Sequence, residues 1–190
     1  MRLTEEQIKN IGFKKYGHNL QISDKAVFYH PERMELGNNI IIDDFCILSN
    51  NIKLHNNIHI AAGAYILSSN NAYIELEDFS GIAYRTLLIS ASDDYSGNFM
   101  TNPTVSENLK NVTELPVILR RHTIVGMGSK IMPGVELAEG TSIGAMSLVM
   151  KSTKPWKIYF GIPARIIGDR SKNILKLEQE YLKQKEKINE

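Results

Sequence analysis

Aliphatic residues recur at every sixth position along most of this chain, a spacing that matches neither an α-helix nor an alternating strand. The series runs in three phased blocks, which are separated first by a slip of four residues and then by a long interruption. Its members are Leu36, Ile42, Leu48, Leu54, Ile60, Ile66, Leu76, Ile82, Leu88, Leu119, Val125, Ile131, Leu137, Ile143 and Val149. A hexapeptide period of this kind predicts a β-helix, in which each flat face of a triangular coil is one hexapeptide long.

A second set of small or aliphatic residues lies four positions after these anchors, as expected if two side chains per hexapeptide point into a narrow interior. This set comprises Ile40, Cys46, Ile52, Ile58, Ala64, Ser80, Thr86, Thr123, Ser129, Val135, Thr141 and Ser147. Gly and Asn tolerate positive φ, so they mark candidate corners between short strands. The candidates are Gly37, Asn38, Asn39, Asn50, Asn51, Asn56, Asn57, Gly126, Gly134 and Gly144. A β-sandwich is the alternative, but its strands would not keep one phase over so many residues.

The rest of the chain completes a single all-β domain over residues 1–190. We expect an N-terminal helix over 3–16, because Thr4 and Gln7 have the spacing of a capping box. This helix would cover the first coil, since an open end of a β-solenoid exposes unpaired strands. The coils should extend over 20–160, and an amphipathic helix should follow over 170–188.

The interruption at 91–116 predicts an excursion loop. Long ordered loops inside compact repeats are often functional. This one contains Asp94, Tyr95 and Asn102, whose side chains could bind a polar ligand, and a plain surface insertion is the alternative.

Composition excludes several function classes. Lys and Arg number 22 against 21 Asp and Glu, so the formal charge of +1 gives no support to nucleic-acid binding. No apolar run reaches the length of a membrane span, and the N-terminal residues do not resemble a signal peptide, so we expect a cytoplasmic protein. The single cysteine, Cys46, lies at an inward position and is interpreted as structural rather than reactive.

The stretch from His122 to Arg170, with IVGMGSKIMPGV, SIGAMSLVMKS and GIPARII, resembles the hexapeptide-repeat acyltransferases, particularly sugar acetyltransferases. The loop section SASDDYSGNFMTNPT is similar to enzymes that modify bacterial deoxysugars and surface-polysaccharide units. The resemblance implies a left-handed parallel β-helix, an exception to the usual right-handed crossover. It also implies a homotrimer that binds acetyl-CoA in grooves between neighbouring prisms.

By this resemblance, the pantetheine arm of acetyl-CoA would bond to backbone groups near Met127 and Ala145. Gly126, Gly128 and Gly144 would let the cofactor approach the backbone, and Ile124 stands where relatives often have Trp. The CoA phosphates would meet cationic side chains that follow the last coils. These cations are Lys151, Arg165 and Arg170, with Met150 replacing a frequent Thr.

Galactoside-type relatives place a catalytic His next to the excursion loop, and Asp93 is the residue nearest that position here. No His lies between Ile60 and Arg121. Either another residue supplies the base, or the acceptor is an amine, which needs less help from a base than a hydroxyl does. His59, interpreted as a corner residue, is the imidazole candidate, and it would meet Asp93 only if a trimer neighbour brought the two together. His122, beside cationic Arg121, should have a lowered pKa but would lie under the cofactor.

The sequence therefore predicts an acetyl-CoA-dependent sugar acetyltransferase with His59 and Asp93 as candidate catalytic residues. Tyr84, Arg85 and the loop residues Asp94, Tyr95 and Asn102 are candidate acceptor contacts. A nucleotide-linked 4-amino-4,6-dideoxy sugar is the acceptor that the loop resemblance implies. O-acetylation of a polysaccharide or free glycoside is the alternative. A non-catalytic hexapeptide protein and a γ-type carbonic anhydrase are rivals of another class, and we expect no metal because His55, His59 and His122 do not form a ligand set.

Overall fold

The computed structural model describes residues 1–189. Three parallel sheets form the faces of a prism, and each coil contributes one short strand to each face. Face 1 contains Lys15–Tyr16, Glu35–Leu36, Ile52–Leu54, Ile74–Leu76, Val117–Leu119 and Glu136–Leu137. Face 2 contains Leu20–Ile22, Ile40–Ile42, Ile58–Ile60, Gly81–Ile82, Ile124–Val125, Ser142–Ile143, Lys157–Phe160 and Arg165–Asp169. Face 3 contains Val27–Tyr29, Ile47–Ser49, Tyr65–Leu67, Leu87–Ile89, Lys130–Ile131 and Leu148–Val149.

The interior of the prism confirms the sixfold pattern. Every anchor of the series is buried, and so is every residue of the second inward set. Several polar members of that second set turn their hydroxyl back to the backbone of their own corner: Ser80 Oγ donates to the Glu77 carbonyl at 2.6 Å, and Ser147 Oγ to the Gly144 carbonyl at 2.8 Å. Small hydroxyl residues can therefore line the narrow interior with a backbone partner, and Thr123 Oγ1 is the exception that is buried without one among the described residues.

The corners follow the sequence prediction in position but only partly in conformation. All ten predicted Gly and Asn residues lie between strands, yet only Asn39, Asn50, Asn57 and Gly134 have positive φ. At the corner between faces 1 and 2, the left-handed residues of successive coils form a column. This column comprises Asn19, Asn39, Asn57, Phe79, His122, Gly140 and Trp156. Large residues thus occupy positions that the composition rule assigned to Gly and Asn, because neighbours in the column support them by stacking.

The N-terminal helix, α1, spans Glu5–Ile11 and is shorter than predicted. The capping box is present, since Thr4 Oγ1 accepts from the Gln7 amide at 3.2 Å and the Gln7 side chain accepts from the Thr4 amide at 2.9 Å. Gly12 ends the helix in the left-handed conformation at φ 84°. The chain after it already belongs to the first coil, which begins at Lys15 rather than near residue 20.

The excursion loop leaves the prism after face 3. Its base is a short antiparallel pair, Ala91–Ser92 with Thr113–Glu114, and it contains the 3-10 helix Glu107–Leu109; another 3-10 helix lies at Pro31–Arg33. The C-terminal helix, α2, spans Asn173–Asn189 and follows an antiparallel hairpin on face 2. No helix of the described chain is long and apolar enough to cross a membrane.

We expect Gly126→Ala to lower the free energy of unfolding by about 2 kcal/mol, because overpacked sites cost this much. A Cβ at Gly126 would lie 2.5 Å from the Ala145 amide nitrogen of the next coil. Gly168→Ala is the matched control, since no atom lies within 4 Å of its added Cβ. Urea unfolding at one protein concentration measures both, and equal stabilities would contradict the stacking constraint.

Candidate active site

The corner between faces 2 and 3 carries a second left-handed column: Phe45, Gly63, Arg85, Gly128 and Met146. A backbone amide stands just before each column position. At Met127 and Ala145 this amide donates to no acceptor among residues 1–189. These two unpaired N–H groups lie on successive coils, because the Met146 amide donates to the Met127 carbonyl at 2.8 Å. The corner therefore presents a row of donors that an extended polar chain could use.

Such donors suit acyl transfer in two ways. Amide groups of a pantetheine arm can pair with a row of backbone groups as an added strand would. A preorganised backbone N–H can also stabilise the oxyanion that forms when a thioester carbonyl is attacked. The structure thus supplies free donors where the sequence resemblance implies the cofactor.

The glycines of this corner have a structural role that the sequence interpretation missed. A Cβ at Gly126 would meet the backbone of Ala145, one at Gly144 would meet the Phe160 ring at 2.4 Å, and one at Gly128 would meet Met146 Sδ at 2.4 Å. Gly126 is therefore required by the stacking of coils, whereas at Gly128 and Gly144 a Cβ would displace a neighbouring side chain. A contact between them and a cofactor remains a prediction.

His59 lies in the middle of a face 2 strand, so its predicted corner position was wrong. Its Nε2 is 2.7 Å from Asp43 Oδ2, and Arg2 donates to the other oxygen of that carboxylate at 2.7 Å. The imidazole is half exposed and faces a groove of about 440 Å³. Gly81 pairs with both His59 and Ile124 in the sheet, so these two side chains flank a position without a side chain.

The groove at His59 has Tyr84 at one rim and the start of the C-terminal segment at the other. Arg170 forms part of that second rim. Its Nη1 donates to the carbonyls of His122 at 2.6 Å and Gly140 at 3.2 Å, and burial lowers the pKa of its guanidinium. These contacts hold the corner between faces 1 and 2 through one nitrogen of the guanidinium, and the expected phosphate contact of Arg170 stays a prediction.

Lys151 and Arg165, in contrast, are brought together. Both line a cavity of about 480 Å³ at the last coil. Met150 and Ile166 contribute apolar walls to the same cavity. This place fits the anionic end of an extended ligand whose middle pairs with the amides of Ala145 and Met127.

His122 is buried beneath α2. It stacks on Phe79 with ring centroids 5.3 Å apart, and its Nε2 is 3.0 Å from Glu178 Oε2. Arg121 contacts the other Glu178 oxygen. Burial, and after it the charge of Arg121, lowers the pKa of His122, in the direction expected from the sequence. An imidazole that is 1% exposed has a packing role and does not reach an acceptor in this conformation.

The two loop aspartates have different partners. Asp94 accepts from the Ser96 amide at 2.7 Å, from the Ser96 hydroxyl and from Asn111 at 3.3 Å, and these bonds lower the pKa of its carboxyl. Asp93 accepts one bond only, from the Asn102 amide at 3.3 Å. Asp94 therefore organises the turn, and the Asp93 carboxylate keeps more oxygen lone pairs free for a further hydrogen-bond donor.

The other loop candidates differ in exposure. Tyr95 is 90% exposed, whereas the Asn102 side chain accepts from the amide and hydroxyl of Thr104. None of these residues lines the groove at His59. Within one chain the loop and that groove are separate, as the sequence suggested.

The residues that sequence reasoning missed are partners of predicted ones. Asp43 holds His59, and its signal was only that it stands one coil earlier at a corner. Glu178 anchors Arg121 and His122 from the helix that the sequence predicted only as amphipathic. No three metal-ligating side chains converge in the described part of the chain, where His55 pairs with Glu75 at 2.6 Å and His59 with Asp43.

Comparisons with known proteins agree with this geometry. No protein-family model matches the chain. The chain is 40% identical over 182 residues to a dTDP-4-amino-4,6-dideoxy-D-glucose acyltransferase of Escherichia coli, and the match covers 94% of each chain. It is 43% identical to AntD, an N-acyltransferase from Bacillus cereus, over 97% of this chain and 98% of that one. The TM-score is 0.95 for the AntD complex with dTDP and 3-hydroxybutyryl-CoA, and 0.94 for a complex with dTDP-4-amino-4,6-dideoxyglucose and coenzyme A.

Fold and similarity together define a left-handed parallel β-helix of the acyltransferase type. The chain belongs to the hexapeptide-repeat acyltransferase family. The predicted fold class and enzyme class are therefore confirmed, against the non-catalytic alternative.

We predict that Glu178→Ala lowers the free energy of unfolding by about 2 kcal/mol, because losing a hydrogen bond to a charged group leaves a buried partner unpaired. The partners here are Arg121 and His122. Glu180→Ala, on the exposed side of α2, should change stability by less than about 0.5 kcal/mol. Thermal unfolding of the two variants tests whether α2 is docked through Glu178. Similar losses of stability in both variants would contradict such docking.

Proposed function

We propose that the protein transfers an acyl group from a CoA thioester to the amino group of a nucleotide-linked 4-amino-4,6-dideoxy sugar. The observation that carries this proposal is the row of unpaired amides at Met127 and Ala145, which lies between the cations of the last coil and Arg85. Support for the acceptor comes from relatives: AntD is an N-acyltransferase, and it holds dTDP-4-amino-4,6-dideoxyglucose together with coenzyme A. Acetyl-CoA is the simplest donor, and AntD also holds a 3-hydroxybutyryl thioester.

In the proposed reaction, the neutral amine attacks the thioester carbonyl carbon and forms the C–N bond. The C–S bond then breaks, and the thiolate leaves. The amine loses one proton as the tetrahedral intermediate collapses, and the leaving sulfur gains one, so that free CoA thiol and an amide are the products. An amine needs only an acceptor for that proton, which a carboxylate can provide.

We assign this role to Asp93, because its carboxylate keeps free capacity while that of Asp94 is used within the turn. Five AntD structures carry substitutions, two of an aspartate and three of a serine ten positions before it. In this chain Ala83 and Tyr84 stand ten positions before Asp93 and Asp94. No serine stands at that spacing, and the phenol of Tyr84 is the hydroxyl available to hold the acceptor.

His59 is the alternative base. Its pairing with Asp43 resembles the orientation of a general base by a carboxylate. The groove that it faces lies on the other side of Tyr84 from Arg85. We therefore propose that His59 lies beside the acceptor sugar and that Asp93 accepts the proton.

The separation of Asp93 from the amide row within one chain supports a homotrimer in which the loop of one copy covers the corner of the next. Exposed apolar side chains along that corner, Tyr84, Met127 and Met146, support a covered surface. We place the enzyme in the cytoplasm, in the supply of acylated sugars for surface polysaccharides.

The proposal is tested by release of CoA thiol from acetyl-CoA with dTDP-4-amino-4,6-dideoxyglucose as acceptor. We expect turnover with this amine and at least about 10²-fold less with the matching 4-hydroxy sugar nucleotide, which requires stronger base catalysis. Turnover with the hydroxyl acceptor and none with the amine would favour O-acetylation. Absence of turnover with both acceptors, together with absence of CoA binding, would contradict the proposal.

Asp93→Asn should reduce kcat by about 10²-fold, the usual effect of losing a positioned proton acceptor. Asp94→Asn is the matched variant and should reduce stability more than kcat, because Asp94 holds the turn. Steady-state kinetics with thermal unfolding distinguish them. If Asp93→Asn keeps full activity while His59→Gln loses it, the assignment of the two residues is reversed.

A further inference from the structure

A groove of about 730 Å³ lies on the face 3 side of the corner that carries Met127. Its lining has two charged side chains, Arg85 and Lys130, and no acidic one. Around these cations stand the aromatic side chains of Phe45, Tyr65 and Tyr84. This combination of two cations and several rings is typical of sites that take an anion joined to an aromatic base.

The two cations lack protein partners. Neither Arg85 nor Lys130 makes a side-chain hydrogen bond or ion pair with another residue in the described range 1–189. The cations of another surface cavity behave differently, since Lys14 pairs with Glu35 and Lys53 with Glu75. The groove therefore has a net positive charge that nothing in the described chain neutralises.

Arg85 also holds an unusual backbone conformation. Its φ is 55°, while the equivalent residues of the adjoining coils are Gly63 and Gly128. The equivalence follows from the backbone bonds, because the Arg85 amide donates to the Ala62 carbonyl and the Gly128 amide to the Tyr84 carbonyl. A bulky residue pays a steric cost in this region that Gly does not pay. Arginine at a glycine position thus points to a use for its side chain.

The rings are exposed in a way that suits stacking. Phe45 is 63% and Tyr65 42% exposed, and Lys25 lies over the Phe45 ring at 5.3 Å. Leu87 pairs with both Tyr65 and Lys130, so these two side chains project from one column of face 3, two strand spacings or about 10 Å apart. A base on Tyr65 or Phe45 would leave its phosphates near Arg85 and Lys130.

We propose that this groove is the nucleotide subsite of the acceptor, in which Arg85 and Lys130 bind the diphosphate and Phe45 and Tyr65 stack on the base. The inference rests on the proposed function and adds to it the residues that select a nucleotide-linked sugar over a free one. Met127 also lines the groove, so the sugar at the end of the diphosphate would lie next to the unpaired amides where the thioester carbonyl is expected.

Calorimetric titration of dTDP and, separately, of CoA into the whole protein tests the subsite. Arg85→Gly should weaken dTDP binding about tenfold or more, as expected for the loss of charge-assisted bonds. Its CoA affinity should change less than about twofold, and its melting temperature should not fall because Gly relieves the left-handed backbone. Lys130→Gln should weaken dTDP binding in the same way. Lys9→Gln on α1 is the matched control, because it removes the same positive charge at a distant place.

Each outcome has one meaning. Weaker dTDP binding with an unchanged affinity for CoA supports a diphosphate subsite. Equal losses of affinity for dTDP and for CoA would assign the groove to the phosphates of CoA and overturn the inference. Variants that bind dTDP as tightly as the wild type would also overturn it. If the wild-type protein binds CoA but not dTDP, the nucleotide acceptor itself is wrong; if it binds neither, the proposed function fails with it.

Discussion

The structure depends on one constraint, which is that every coil must stack on the next at strand spacing around a narrow interior. That spacing leaves room for two inward side chains per hexapeptide, and these are aliphatic on the faces and small hydroxyl residues at several corners. It also leaves no room for a Cβ at Gly37 or Gly126, where the next coil's backbone lies within 2.5 Å. The same regularity turns selected amides outward in a row, and the candidate active site is built on that row. The ligand groove is therefore a consequence of how the core packs.

The fold was predictable because one side-chain period controls all three faces. Each anchor from Leu36 to Val149 is buried, as its spacing predicts. The break in the six-residue spacing after Leu88 marks the excursion loop. The site was less predictable because its members are brought together by stacking between coils. Asp43 and His59 are sixteen residues apart and His122 and Glu178 fifty-six, so no local spacing connects them. Arg170 is a further case, since the two corner carbonyls that its guanidinium binds lie 48 and 30 residues away in the sequence.

The two corners of face 2 have different tasks. The corner between faces 1 and 2 is covered by α2. From this helix, Tyr181 donates a hydrogen bond to Asn57, and Glu178 contacts Arg121 and His122. The corner between faces 2 and 3 is not covered by α2. It carries unpaired backbone amides, unpaired cationic side chains and exposed aromatic rings. Asp93 belongs to neither corner, because its loop leaves from the far edge of face 3. In the proposed homotrimer, the loop of one copy would bring Asp93 to the open corner of the next.

The most direct test of this account is a mixing experiment with two variants that damage different parts of the shared site. Asp93→Asn removes the proton acceptor, and Ala62→Trp fills the groove beside Arg85. If each site combines the loop of one copy with the corner of another, trimers assembled from equal amounts of the two variants should regain about a quarter of the wild-type activity. Activity no greater than the sum of the separate variants would contradict a site shared between copies.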